Sequence, residues 1–283
     1  MIYTSIINVQ DLAKHISDPN WVIVDCRFDL TDPEAAKLRY NNSHLPRAVY
    51  AHLDEDLCGE IIPGITGRHP LPIEKDFVES LGKWGITSGI QVVTYDDKGG
   101  ALAAGRLWWM LRWLGHESVA VLNGGWQQWV DNKLPLESRI RRRSPETFTP
   151  SVRSNLIVNA KEVLGMTADP DSLVFDSRVL ERYRGEFEPI DPIAGHIPGA
   201  KLATHHDVLN SDGLFLPRDI LNEHFNALLG DIPAEKTAFY CGSGVTAVQN
   251  ILGLHYVGLG EAKLYAGSWS EWITDPGRPI ETG

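Results

Sequence analysis

The sequence predicts an α/β protein of two tandem domains, each a mainly parallel sheet flanked by helices. Three observations lead there. The chain has 283 residues, more than one hydrophobic core usually spans, so units of roughly 100 to 150 residues are expected. Short Val/Ile-rich runs alternate with stretches of helical periodicity, the pattern of a parallel sheet covered by helices on both faces. The two halves also resemble each other, as tandem copies of one unit do.

The duplication begins with WVIVDCR (21–27) against SLVFDSR (172–178), which pairs Asp25 with Asp176 and Arg27 with Arg178. It continues with SHLPRAVYAHLDEDL (43–57) against GHIPGAKLATHHDVL (195–209), where His44 answers His196 and Pro46 answers Pro198. VVTYDDKGG (92–100) then faces TAFYCGSG (237–244), and LNGGWQQWV (122–130) faces YAGSWSEWI (265–273). Four blocks in one order divide the chain into a first domain over 1–135 and a second over 156–283. The basic, polar segment between them, 136–155, reads as a linker.

Each element follows from local pattern. In AGRLWWMLRWLGH, residues Ala104, Leu107, Trp108 and Leu111 share one helical face. Trp108, Trp109, Trp126 and Trp269 fall on helical or repeated positions and are expected in the core. An arginine two residues after a strand aspartate occurs in both halves, so Arg27 and Arg178 read as structural ion pairs. His44 and His196, repeated in the same way, read as turn contacts. Thr237–Tyr240 is a short buried strand, and Val248, Ile251, Leu252 and His255 recur at helical spacing after a glycine-rich turn. Cys241 therefore stands at a strand's carboxyl end, where α/β sheets present reactive groups. Asp96 holds the equivalent position in the first half, which is expected to be catalytically silent.

A net charge of -11 disfavours nucleic acid and anionic membranes as partners. Neither a leader-like start nor an apolar spanning segment is apparent, so a cytoplasmic location is expected. Three widely spaced cysteines suit neither a disulfide framework nor a CxxC metal site, and Cys26 and Cys58 read as packing thiols. The adjacent His205 and His206 lack a third ligand in view, so neither metal nor cofactor is expected.

An ordinary thiol is only a few per cent ionised at neutral pH. After Cys241 the chain reads Gly242, Ser243, Gly244, Val245 and Thr246, a turn whose main-chain N–H groups can curl around an anion at a helix start. A phosphatase loop of this kind needs an arginine six residues after the cysteine, and position 247 is alanine. A charged persulfide suits the uncharged cradle better.

DSR (176–178), RYRG (182–185), GHIPGA (195–200), CGSGVTA (241–247) and AGSWSEW (266–272) together resemble two-domain rhodanese-type sulfurtransferases over nearly the whole chain. The resemblance implies two rhodanese-like α/β domains with a cleft between them. It also implies that Cys241 takes sulfur from a small-molecule donor as a persulfide and passes it to cyanide, a thiol or thioredoxin. Thiosulfate-preferring members carry cations directly after the cysteine. The CGSG form is instead similar to 3-mercaptopyruvate sulfurtransferases, in which a serine joins an aspartate and a histidine in proton transfer. By position these are Ser243, Asp56 and His69, with Arg182 gripping the substrate carboxylate and Gly242, Gly244, Val245 and Thr246 completing the substrate loop. Where those enzymes have a second arginine this chain has Ile190, and Arg184 is the nearby candidate to compensate. A thiosulfate:cyanide sulfurtransferase and a non-catalytic binding module of the same fold are the alternatives.

Overall fold

The computed structural model describes residues 2–100 and 102–283. The chain forms two compact units. The first comprises the residues up to Gly59, Pro72–Arg153 and Ser211–Phe215; the second comprises Glu60–Leu71, Ser154–Asn210 and Leu216–Gly283.

In the first unit the order is β1 (Ile6–Ile7), α1 (Val9–His15), β2 (Trp21–Asp25), α2 (Pro33–Asn42), β3 (Val49–Tyr50), α3 (Leu53–Asp56), α4 (Glu74–Lys83), β4 (Gln91–Tyr95), α5 (Ala103–Trp113), β5 (Val119–Leu122) and α6 (Gly125–Asp131). The sheet is parallel throughout, ordered β1-β5-β4-β2-β3. Every residue of the central strands β2 and β4 is buried, as expected where both faces of a parallel sheet are covered. Helix α5 departs from the one-faced pattern: Ala103 to Arg112 are all buried, including Arg106, whose Nε donates to the Leu57 carbonyl at 3.0 Å. A helix enclosed on every side needs such a partner for each polar group it buries.

The second unit contains α7 (Ala160–Ala168), β6 (Leu173–Asp176), α8 (Leu180–Tyr183), β7 (Lys201–Leu202), α9 (Arg218–Leu229), β8 (Thr237–Tyr240), α10 (Val248–Val257), β9 (Lys263–Leu264) and α11 (Ser268–Trp272). Its parallel sheet is ordered β7-β6-β8-β9. The counterpart of β1 is reduced to a single parallel bridge, Ile157 to Leu264. Otherwise the order repeats, so β6 answers β2 and β8 answers β4.

Segment 136–153 carries no helix and packs with the first unit as an ordered strap. Glu137 exchanges both main-chain hydrogen bonds with His44 at 2.8 and 2.9 Å, Glu146 N–H donates to Gly82 at 3.0 Å, and Ser151 N–H to Leu114 at 2.8 Å. Backbone pairing of this kind is what distinguishes a strap from a free linker.

A buried polar network is built twice. Arg27 Nη2 lies 2.6 Å from Asp25 and donates to Ser43 O at 2.6 Å; Arg178 Nη2 lies 2.6 Å from Asp176 and donates to Gly195 O at 2.6 Å. Tyr95 and Tyr240 hydroxyls accept from the main-chain N–H of Leu45 and Ile197 at 3.2 and 3.1 Å. His44 stacks on Tyr40 at 4.2 Å and His196 on Tyr183 at 3.8 Å. Trp108, Trp109 and Trp269 are buried, while Trp126 is only partly so and packs against the core cluster of the first unit. No helix among the described residues is long and apolar enough to cross a membrane.

Candidate active site

Strand β8 ends at Tyr240, and Cys241 follows at 2 % exposure. Its main chain is clamped on both sides. Cys241 N–H donates to Ser268 Oγ at 3.1 Å, Trp269 N–H donates to the Cys241 carbonyl at 3.0 Å, and Ser270 N–H donates to Gly242 O at 2.9 Å. Ser268 in turn donates to Tyr265 O at 2.9 Å and holds a left-handed φ of 55°. That conformation is uncommon for serine and fixes the hydroxyl under the cysteine amide. Gly244, at φ 72°, is required by close approach as well: a Cβ there would lie 2.2 Å from Ala266 O.

Burial works against ionisation of Cys241, yet the Thr246 hydroxyl and the N–H groups of Ser243, Ala247 and Val245 outweigh it, and the thiol sits below its ordinary range. The other two cysteines have no comparable set of donors, only the Tyr95 main chain at Cys26 and the charge of Arg106 near Cys58. Burial raises Cys58 to about 11, and burial and the nearby Asp25 push Cys26 well above its ordinary range. One thiol of three is thus disposed to react.

His69 Nδ1 lies 2.7 Å from Ser243 Oγ, so two of the three sequence-derived relay residues meet within the second unit. Asp56 belongs to the first unit, where its Oδ2 accepts from His52 N–H at 2.8 Å and burial raises its carboxyl above the usual range.

The charged groups around the loop alternate in sign. Arg178, paired with Asp176, lies 3.2 Å from Glu188; Glu188 lies 2.8 Å from Arg182; Arg182 Nη2 lies 3.0 Å from Asp191; and Asp191 also pairs with Arg68. Buried charges persist only with such partners. Two guanidinium groups consequently converge beside Gly242, next to Cys241. A Cβ placed on Gly242 would lie 2.8 Å from Arg68 Nη2 and 3.3 and 3.5 Å from the Arg182 nitrogens. Arg68 is lowered by burial, and the charge of Cys241 acts in the opposite sense.

Two segments of this chain, residues 8–132 and 159–275, match the model of the rhodanese-like domain. The chain belongs to the rhodanese-like family. It is 43% identical, over the full length of both chains, to a probable 3-mercaptopyruvate sulfurtransferase of Pseudomonas aeruginosa. It is 37% identical to a putative thiosulfate sulfurtransferase of Mycobacterium tuberculosis, over 92% of this chain and 90% of that one. Among solved structures it is similar to the 3-mercaptopyruvate sulfurtransferase from Leishmania major, with a TM-score of 0.84 and 29% identity over 95% of this chain and 74% of that chain.

Within this rhodanese-like chain, the second unit assembles Cys241, Ser243, His69 and Arg182. Sequence reading missed Arg68 although it named its neighbour. The signal was present in GRHPLP (67–72), but only folding brings residue 68 against Gly242. Arg184, the expected substitute for the arginine absent at Ile190, is instead half exposed and lies 3.7 Å from Glu186. It caps the end of α8 and is exposed to solvent.

Proposed function

We propose that this protein is a 3-mercaptopyruvate sulfurtransferase working through a persulfide on Cys241. The observation that carries the donor assignment is the 2.7 Å contact between Ser243 Oγ and His69 Nδ1 beside the nucleophile. Thiosulfate cleavage releases sulfite, a leaving group that needs no proton at neutral pH. Cleavage of a carbon–sulfur bond leaves its electron pair on carbon, which must be protonated, and a hydroxyl–imidazole relay meets that need.

Arg182 and Arg68 hold the donor's carboxylate, the latter standing in for the arginine replaced by Ile190. The Cys241 thiolate attacks the donor sulfur, and the S–S bond forms as the C–S bond breaks. The donor's thiol proton passes through Ser243 and His69 to the former CH2 carbon, giving pyruvate and Cys241–S–S⁻. Loop N–H groups stabilise the terminal sulfur as they do the thiolate. An acceptor thiolate or cyanide then attacks that sulfur and releases Cys241. A cytoplasmic setting, in which acceptor thiols stay reduced, fits this cycle.

Mass spectrometry of protein exposed to 3-mercaptopyruvate should show one added sulfur on the peptide containing Cys241. Its absence with both this donor and thiosulfate would overturn the persulfide. A larger kcat/KM for thiosulfate would overturn the donor assignment.

A further inference from the structure

The first unit holds a cavity of about 540 Å³ at the amino ends of β2 and β4, the opposite sheet edge from Asp96. Arg47, Arg141, Arg142 and Arg143 line it together with Asn20 and Thr87. Four guanidinium groups around one hollow are unexpected in a chain with a net charge of -11.

Their partners are what matter. Among the described residues only Arg141 of the four is ion-paired, 2.7 Å from Glu137. Arg143 donates to the carbonyls of Trp21 and Pro19 at 3.2 and 2.9 Å, and Arg47 donates to the Ser17 carbonyl. Carbonyls orient these groups without neutralising them. Arg142 makes no hydrogen bond or ion pair among the described residues, and Glu146, the carboxylate in the lining, forms no ion pair with any of the four. Burial, and then the charge of Arg47, lower Arg143, which is the mark of cations crowded without a counter-charge.

The strap that carries these residues is pinned on either side, at Glu137 by His44 and at Glu146 by Gly82, so the cluster is held in place before any ligand arrives. Guanidinium forks suit tetrahedral oxyanions, and a concave site of this size admits more than one such group. We propose that this cavity binds a small polyanion of the diphosphate class, at a site separate from the sulfur-transfer loop.

Calorimetric titration of the full chain with inorganic pyrophosphate, at fixed ionic strength in chloride buffer, tests it. Saturable one-to-one binding is expected, weakened about tenfold in Arg142→Ala and more in Arg142→Glu. Arg142 supports no other group, so both variants should keep the wild-type melting temperature and sulfur-transfer rate. The proposal is overturned by an absence of saturable binding, by affinity unchanged in Arg142→Glu, or by binding of RNA oligonucleotides or anionic vesicles without binding of pyrophosphate. Sulfur transfer can fail with this site intact, and the reverse, so the two readings are tested apart.

Discussion

The loop after β4 and the loop after β8 are the same curl of main-chain amides around different acidic side chains. In the first, Asp96 accepts main-chain hydrogen bonds from Lys98, Gly100, Leu102 and Ala104 at 2.9, 2.8, 3.1 and 3.3 Å. In the second, N–H groups at the same first three offsets, those of Ser243, Val245 and Ala247, lower Cys241. Around Asp96 these hydrogen bonds only oppose the burial that raises its carboxyl above the ordinary range, whereas around Cys241 the donors outweigh burial and lower the thiol. Below the loop, Gly125 at φ 53° answers Ser268 at φ 55°. Glycine takes the left-handed conformation without strain, whereas serine accepts it and gains a hydroxyl beneath the nucleophile's amide. The ionic networks differ too. In the first unit the ion pair of Arg27 is with Asp25; in the second the pattern extends through Glu188, Arg182 and Asp191 to Arg68. Reactivity lies in those additions rather than in the fold.

Making the second loop a copy of the first should have the largest effect. Cys241→Asp is expected to keep the melting temperature within a few degrees, because the amides retain a hydrogen-bond acceptor, while sulfur transfer falls at least about a thousandfold. Unfolding of the variant would show that the cradle does not tolerate a carboxylate. Arg68→Ala comes next, with kcat/KM for 3-mercaptopyruvate expected to fall roughly 10- to 100-fold, chiefly through KM, and Ile190→Arg in that background to recover part of it. An unchanged KM removes Arg68 from donor binding.

In the first-unit loop, Asp96→Ala leaves amides without an acceptor and should cost about 1–3 kcal/mol in urea unfolding, with little change in turnover per folded molecule. The smallest effects concern ionisation. Alkylation of Cys241 should reach half its maximal rate below the pH of an ordinary thiol, and Thr246→Val should raise that midpoint by removing a donor to the thiolate. Since the folded value lies below the unfolded one, Cys241 contributes stability that is full above the unfolded value and is lost as pH falls through the folded value. Unfolding measured across that window should be flatter in Cys241→Ser.

Much of this was legible without coordinates. The duplicated blocks located Asp25, Asp176 and the two loops, because a repeated strand motif must satisfy the same burial twice. Thr237–Tyr240 was readable as a strand from its apolar run, and Cys241 from its place between that run and the glycines. The strap was not legible: a basic, proline-bearing segment looks like linker until its backbone hydrogen bonds are known. Helical spacing puts Ala104, Leu107, Trp108 and Leu111 on one face of α5, yet the opposite face is buried too, with Arg106 held on a carbonyl.

Local sequence determined the strands, the duplication and the glycine-rich loop that begins at Cys241, since those depend on periodicity and on residues adjacent in the chain. Tertiary structure alone decided that His69 meets Ser243 across 174 positions and that Arg68, not Arg184, stands beside Gly242. Contacts between distant residues follow from where a packed backbone carries each segment, and no local pattern encodes that path.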